Sequence, residues 1–277
     1  MPDKTSDDTR SLRDEIRRLR KSLAELTPHL DVLLKRRGFR IYKKEPADDL
    51  LIPENTFLEG FYEMMKRYSF RLFLRDVIKH QKSFRLEQVT RFATSEVTGE
   101  YLKYIRDIGL VEKISDGFRL SSGPIKSFGE TLEWFVAEIF KREFSTEAIW
   151  GMRFKRPLVG GDYDLIAKVD GSILYMEIKS SPPKQIYHNE ISAFFDRVSD
   201  LLPEISIFFV DTELRMKDKI VLMFEEELNR RYNDPPQVMR MEKELFQIQD
   251  KIFIINGKDS IAANIEKVLC WYFRRNQ

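Results

Sequence analysis

Residues 160–181 read GGDYDLIAKVDGSILYMEIKSS. In this stretch Asp164 opens an apolar run, Asp170-Gly171 carries a turn signal, and the run SILYMEIK follows it, so the pattern predicts two strands joined as a hairpin. Period-two alternation places Glu177 and Lys179 on one face of the second strand, with Met176 and Ile178 on the other. Asp164 then lies beside them across the hairpin. Charges held together among Leu, Ile and Tyr cost free energy unless a cation and a function compensate. The competing reading is an exposed salt-bridge cluster of little energetic consequence.

Working outward, the pattern predicts a helix over 130–144, strands over 148–156, 162–169 and 172–180, a helix over 190–202 and a strand over 205–211. A further helix over 217–231 follows, then a helical spacing of Val238, Met241, Leu245 and Ile248, a strand at KIFII (251–255) and a closing helix over 260–275. Alternating strands and helices predict an α/β domain over 126–277, with helices on both faces of its sheet.

Two carboxylates with open coordination positions suit Mg²⁺, with Mn²⁺ as a substitute. Asp164 and Glu177 are the candidate metal ligands, and the backbone carbonyl of Ile178 is a third. Such an ion polarises a phosphate and acidifies a bound water. Lys179 would orient that water or offset charge in the transition state, a role for a compact ammonium that arginine does not reproduce.

The spacing Asp164-x12-Glu177-Ile178-Lys179, preceded by the helix segment Gly129-Glu130-Thr131-Leu132-Glu133-Trp134, resembles the PD-(D/E)XK nuclease superfamily over about residues 127–211. The resemblance implies a restriction-endonuclease-like mixed sheet flanked by helices. It makes Glu133, rather than Glu130, the helix glutamate, Asp164 the metal aspartate and Glu177 and Lys179 the E-x-K pair, with Asp162 as an additional acid. It implies a Mg²⁺-dependent endonuclease hydrolysing phosphodiester bonds in DNA. No Q-x-x-x-Y follows the lysine, so processive exonuclease action is not inferred. The alternative is a DNA- or protein-binding regulator that keeps the fold without turnover.

Upstream, Leu12, Ile16, Leu19, Leu23, Leu26, Leu30 and Leu33 form a heptad seam in a helical segment, 1–49. Thr27 reads as an N-cap with Pro28 at the first helical position. The seam predicts either an amphipathic helix packed on its own chain or a homodimer through residues 1–40. Lys35-Arg36-Arg37, with Arg40, Lys43 and Lys44, is a candidate phosphate patch or a solvated helix end.

Residues 50–125 read as a winged-helix-like domain, with helices at 68–80, 85–93 and 95–109 and a hairpin about Asp116-Gly117. Leu86, Val89 and Phe92 would pack its second helix. Lys103, Arg106, Lys113 and Arg119 are the expected nucleic-acid contacts, although Glu96, Glu100 and Asp107 dilute the positive field.

Lys+Arg 47 against Asp+Glu 45 leaves a net charge of only +2, so a polyanion must be met by local clusters. The lone Cys270 excludes an intramolecular disulfide and is expected to be a buried thiol. The N-terminus lacks an apolar signal core, and no apolar run approaches the ~20 residues that cross a bilayer. A cytoplasmic protein without membrane contact is expected. His188 has no partner His or Cys nearby and reads as a surface or packing residue rather than a metal ligand.

Overall fold

The computed structural model describes residues 28–155 and 159–275, together with Glu15, Arg18 and Leu19. In chain order its elements are α1 (Leu30–Arg36), β1 (Ile41–Lys43), α2 (Leu58–Met65), α3 (Tyr68–Lys79), α4 (Ser95–Asp107), β2 (Val111–Ile114), β3 (Gly117–Leu120), α5 (Gly129–Glu143), β4 (Glu147–Phe154), β5 (Tyr163–Val169), β6 (Ser172–Lys179), α6 (His188–Leu201), β7 (Ile205–Val210), α7 (Leu222–Arg231), β8 (Met239–Glu242), β9 (Leu245–Ile248), β10 (Ile252–Asn256) and α8 (Ile261–Arg275). Asp170 and Gly171 take φ of 46° and 85°, the left-handed pair that matches a two-residue turn to strand twist. The hairpin β5–β6 forms on that turn, with Val169 opposite Ser172.

Among the described residues, eight strands make one mixed sheet in the order β1-β4-β5-β6-β7-β10-β9-β8. The meander β4–β5–β6 is antiparallel, whereas β6–β7 and β7–β10 are parallel. Central strands buried on both faces read as continuous apolar runs, and Ile205–Val210 is buried throughout. One face of the sheet carries α5 and α8, packed through Leu132, Phe135, Phe140, Ile265 and Val268. The other carries α1, α6 and α7, with Leu30, Leu34, Phe194 and Phe224 in the core. A chain of aromatic contacts runs from Tyr163 through Tyr175, Phe194 and Phe208 to Phe224, with ring centroids 5.2–5.8 Å apart. Such contacts add to the burial free energy.

The segment before α5 shares its core rather than building a separate one. Phe61 lies 6.0 Å from Trp134 and Tyr62 lies 5.5 Å from Phe135. Its order is helix α3, a single tight turn at Leu86–Val89, helix α4 and the hairpin β2–β3. The expected second helix over 85–93 is thus reduced to one turn. Val89 is buried but Phe92 is exposed, because the chain leaves that turn before Phe92 can join the packed stripe. The hairpin turn falls on Ser115-Asp116, one residue before the predicted position.

Other expectations need correction. Instead of a helix, Met241 lies on β8 and Leu245 and Ile248 on β9, antiparallel to it, with Val238 just before β8. Leu245 to Ile248 is buried on both sides because β9 sits between β8 and β10, and a short run of that kind has no periodicity that separates strand from helix. Residues 41–43, inside the stretch expected to be helical, form the edge strand β1 against β4.

His29 takes the N-cap position of α1, so Pro28 precedes the helix, and the Leu30 N–H is satisfied by donating to Glu147 Oε2 at 2.9 Å. Of the heptad seam, Leu30 is buried and Leu33 packs against the sheet core. Leu19 is exposed, and Leu12, Ile16, Leu23 and Leu26 lie outside the described residues, as does Thr27. Cys270 is exposed, because α8 turns Ile261, Ile265, Val268 and Leu269 inward and leaves position 270 on the outer side. No helix among the described residues is long and apolar enough to cross a membrane.

Candidate active site

The β5–β6 register, with Leu165 opposite Met176, sets Asp164 across from Glu177. Asp164 takes the Ile178 N–H on Oδ2 at 2.7 Å. Glu177 is almost fully buried, 2% exposed, and both its oxygens are engaged. Lys179 Nζ reaches Oε1 at 2.9 Å, Arg197 Nη1 donates to Oε2 at 2.9 Å, and the Tyr175 hydroxyl also donates to Oε2. Lys179 in addition pairs with Glu190 Oε1 at 3.0 Å.

Glu133 enters from α5. Gly151 lies opposite Asp164 in the β4–β5 register, and a Cβ built at Gly151 would sit 3.7 Å from Glu133 Oε2 and 2.5 Å from Pro46 Cδ. With φ at 57° as well, position 151 requires glycine. Asp164, Glu177 and Lys179 are therefore gathered at one place on the sheet, and Glu133 lies near enough to feel the charges of Asp164 and Glu177.

Electrostatics at this place are strongly biased. Burial, followed by the charge of Glu177, pushes the Asp164 carboxyl well above the usual carboxylate range, against the pull of Lys179, the Ile178 N–H and Arg197. Burial raises Glu133 likewise, with Asp164, Glu130 and Glu177 adding repulsion. For Lys179 burial opposes the charged form, but Glu177 and Asp164 outweigh it and raise the pKa. Arg197 is raised against the same opposition by Glu177, Tyr175 and Asp164. The cluster thus carries acidic groups that its own cations do not fully compensate.

Other candidates take different places. Glu130 is half-buried and feels Asp49 and Lys43, with its Oε2 lacking a hydrogen-bond partner among the described residues. Asp162 is held by Arg153 through contacts of 2.5 and 2.7 Å. His188 is exposed and faces Glu226 at 3.3 Å. Lys103, Arg106, Lys113 and Arg119 are all exposed, but Arg106 pairs with Asp107 at 3.2 Å and Arg119 with Glu112 at 2.5 Å.

Arg197, Tyr175 and Glu190 were not singled out from the sequence. A signal existed: Glu190, Phe194 and Arg197 recur at i, i+4 and i+7, so two charged residues share a stripe with a core phenylalanine. A second missed feature is the buried pair of Arg71 and Asp211, 1% and 0% exposed, with Nη2 to Oδ1 at 2.8 Å. Arg75 joins it at 2.5 Å. The Asp211 N–H donates to the Lys179 carbonyl at 2.8 Å, which ties this pair to the end of β6.

No family model and no curated protein matches this chain. Among solved structures, it is similar to Can2 from Sulfobacillus thermosulfidooxidans in complex with cyclic tetra-adenylate, with a TM-score of 0.51 and 13% identity over 86% of this chain and 60% of that one. It is also similar to protein VC1899 from Vibrio cholerae, with a TM-score of 0.50 and 11% identity over the same shares. The chain thus spans 60% of the length of either structure. These likenesses bear on the fold alone: an α/β protein with a large mixed sheet flanked by helices.

Proposed function

We propose that the chain is a metal-dependent nuclease that hydrolyses phosphodiester bonds in nucleic acid, with DNA as the expected substrate. The observation that carries this reading is the meeting of Asp164, Glu177 and Lys179 where β5 begins and β6 ends, with Glu133 near enough to feel the charges of Asp164 and Glu177. Among the described residues no three His, Cys, Asp or Glu side chains gather into a ready metal group. One or two carboxylates nevertheless fit Mg²⁺, which keeps several waters and takes substrate phosphate as ligand. Burial and neighbouring carboxylates disfavour the charged forms of Asp164 and Glu133, a cost that a bound cation would offset.

Asp164, Glu177 and the Ile178 carbonyl would hold Mg²⁺ or Mn²⁺, which when bound supplies Lewis-acid stabilisation of the phosphate and an acidified water. Lys179 would orient an attacking water and offset charge as it develops on the phosphate oxygens. Its contacts to Glu177 and Glu190 fix the ammonium in place beforehand, so little reorganisation remains for the reaction step. Glu133 would add a further carboxylate beside the site, held above the usual range by burial and by the charge of Asp164.

The test is incubation of the purified protein with single-stranded, double-stranded and branched DNA, and with RNA, in Mg²⁺, Mn²⁺ or EDTA. The likeness to Can2 motivates a parallel set with cyclic tetra-adenylate added. Metal-dependent cleavage of any of these supports the reading, and no cleavage under every condition sinks it. The second reading, a binding protein without turnover, draws on the engagement of both Glu177 oxygens by Lys179, Arg197 and Tyr175. Under it, binding persists while no substrate is cut.

We also propose the α3–α4 segment with its β2–β3 hairpin as a winged helix that contacts phosphates. Because Arg106 and Arg119 are already paired with acids, Lys103 and Lys113 should carry more of the field. Replacing both lysines by Ala should weaken binding to all sequences alike, and the log–log salt slope should fall by about 0.9 for each phosphate no longer neutralised. An unchanged slope would assign the segment to protein contacts. Self-association through residues 1–40 stays a proposal, with light scattering of the full chain and a chain lacking them as its measurement.

A further inference from the structure

We infer that Tyr187 is a stacking platform for an unpaired nucleobase next to the scissile phosphate, which makes single-stranded nucleic acid the substrate class of this site. The inference rests on the nuclease reading and adds what the acids and Lys179 leave open, the form of the strand they receive.

Tyr187 immediately precedes α6 and is 65% exposed. An exposed tyrosine is ordinary by itself, and its connections give it meaning. Its N–H donates to Glu190 Oε2 at 2.9 Å, and the other oxygen of the same carboxylate takes the Lys179 ammonium at 3.0 Å. One carboxylate therefore joins the backbone of the tyrosine to the lysine of the site. Successive phosphates of a strand lie only about 3.4 Å apart along its axis, so a phosphate at Lys179 brings the adjoining nucleotides over this stretch of surface.

The platform is held in place before any strand arrives. Pro183 and Ile186 are buried beneath it, and the Ile186 N–H closes a tight turn on the Pro183 carbonyl at 3.1 Å. Lys219, on the turn Lys217–Val221 that leads into α7, donates to the carbonyls of Lys184 and Ile186 at 3.0 and 2.9 Å. Its Nζ also lies 5.9 Å from the centroid of the Tyr187 ring. A ring on a tethered turn loses little freedom when a base stacks on it. The Lys219 charge and the exposed Lys184 supply attraction for the phosphates on either side of that base. The acids Glu226 and Asp218 are engaged with His188 and Arg215, at 3.3 and 3.5 Å. In a duplex both faces of a base are already stacked, so the ring offers its contact to a base that is unpaired.

A merely structural role for Tyr187 predicts something different. Opening α6 and steadying Glu190 need only the backbone N–H, which alanine retains. Stacking needs an aromatic ring, which phenylalanine and tryptophan supply.

The experiment compares the full-length parent with Y187A, Y187F and Y187W, all checked by thermal melts. Binding of octathymidylate, and of the equivalent abasic strand with the same phosphates, is followed by fluorescence anisotropy in Ca²⁺. Cleavage of octathymidylate and of a duplex is measured in Mg²⁺. Y187A should lose about tenfold in affinity for octathymidylate, the scale of one base–aromatic stack, and the same factor in kcat/KM on that strand. Y187F and Y187W should bind it like the parent, and no variant should change binding of the abasic strand. If Y187A binds octathymidylate like the parent, or weakens the abasic strand equally, the inference is wrong while the nuclease reading rests on parental cleavage. A parent that cuts the duplex but neither binds nor cuts octathymidylate also overturns the inference alone. If the parent cleaves nothing, the nuclease reading falls, and the Ca²⁺ series still decides whether Tyr187 stacks a base: equal affinities for parent and Y187A overturn it.

Discussion

Asp164→Asn is expected to reduce cleavage by at least about 100-fold, with partial recovery as Mg²⁺ or Mn²⁺ is raised, whereas Lys179→Ala should lose as much and resist added metal. The asparagine keeps the shape of Asp164, and its Oδ still accepts the Ile178 N–H. What it removes is the negative charge that a hard cation needs, so the defect lies in affinity for the ion. Lys179→Ala removes the ammonium 2.9 Å from Glu177 Oε1 and leaves both carboxylates in place. Metal binding should survive or tighten as a nearby positive charge is lost, while the water and the developing phosphate charge lose their partner. Mn²⁺ binding followed by electron paramagnetic resonance separates the two defects without relying on turnover. Cleavage at the parental rate by both folded variants would place any activity elsewhere.

Asp211→Ala should be among the most destabilising single changes in the molecule, by about 3–5 kcal/mol. Asp211 is fully buried at the end of β7 and takes the Nε and Nη2 donors of Arg71 at 2.8–3.1 Å. Arg71 comes from α3 and also donates Nη1 to the Met65 carbonyl at 2.7 Å, so the pair clamps the segment before α5 onto the sheet. Removing the aspartate strands a guanidinium that has almost no route to water. Arg75, at 18% exposed, can still turn to solvent. The corresponding fall in melting temperature is about 10 °C for a chain of this size. A double variant, R71M with D211L, removes both charges together and should recover most of the loss. A fall of less than about 2 °C for Asp211→Ala would mean that Arg71 finds another acceptor and that the clamp contributes little.

The two variants also probe different links to the site. Asp164 acts at the acid cluster itself, whereas Asp211 acts through the backbone, since its N–H holds the Lys179 carbonyl. A D211A protein keeps that N–H, so a fall in its kcat while it stays folded in the cold would report movement of the end of β7 once the Arg71 clamp is lost.

From the sequence by itself, the hairpin that carries Asp164, Glu177 and Lys179 was determined: turn chemistry at Asp170-Gly171 and period-two alternation are local properties, and they fix which residues share a face. The order of strands and helices from 129 to 210 was legible for the same reason, as was the glutamate helix, whose stripe of Leu132, Phe135, Val136 and Phe140 leaves few inward positions for Glu133. Other features depend on contacts between residues far apart in the chain and were decided only by the tertiary structure. Leu245–Ile248 becomes a strand because β10 and β8 flank it, and Cys270 is exposed because α8 docks by its opposite side. Arg197 meets Glu177 because α6 crosses the sheet at one particular height. The guanidinium of Arg71 finds Asp211 over a separation of 140 residues. Periodicity reports which face of an element is apolar, but the partner that a buried charge will meet is set by how the elements pack.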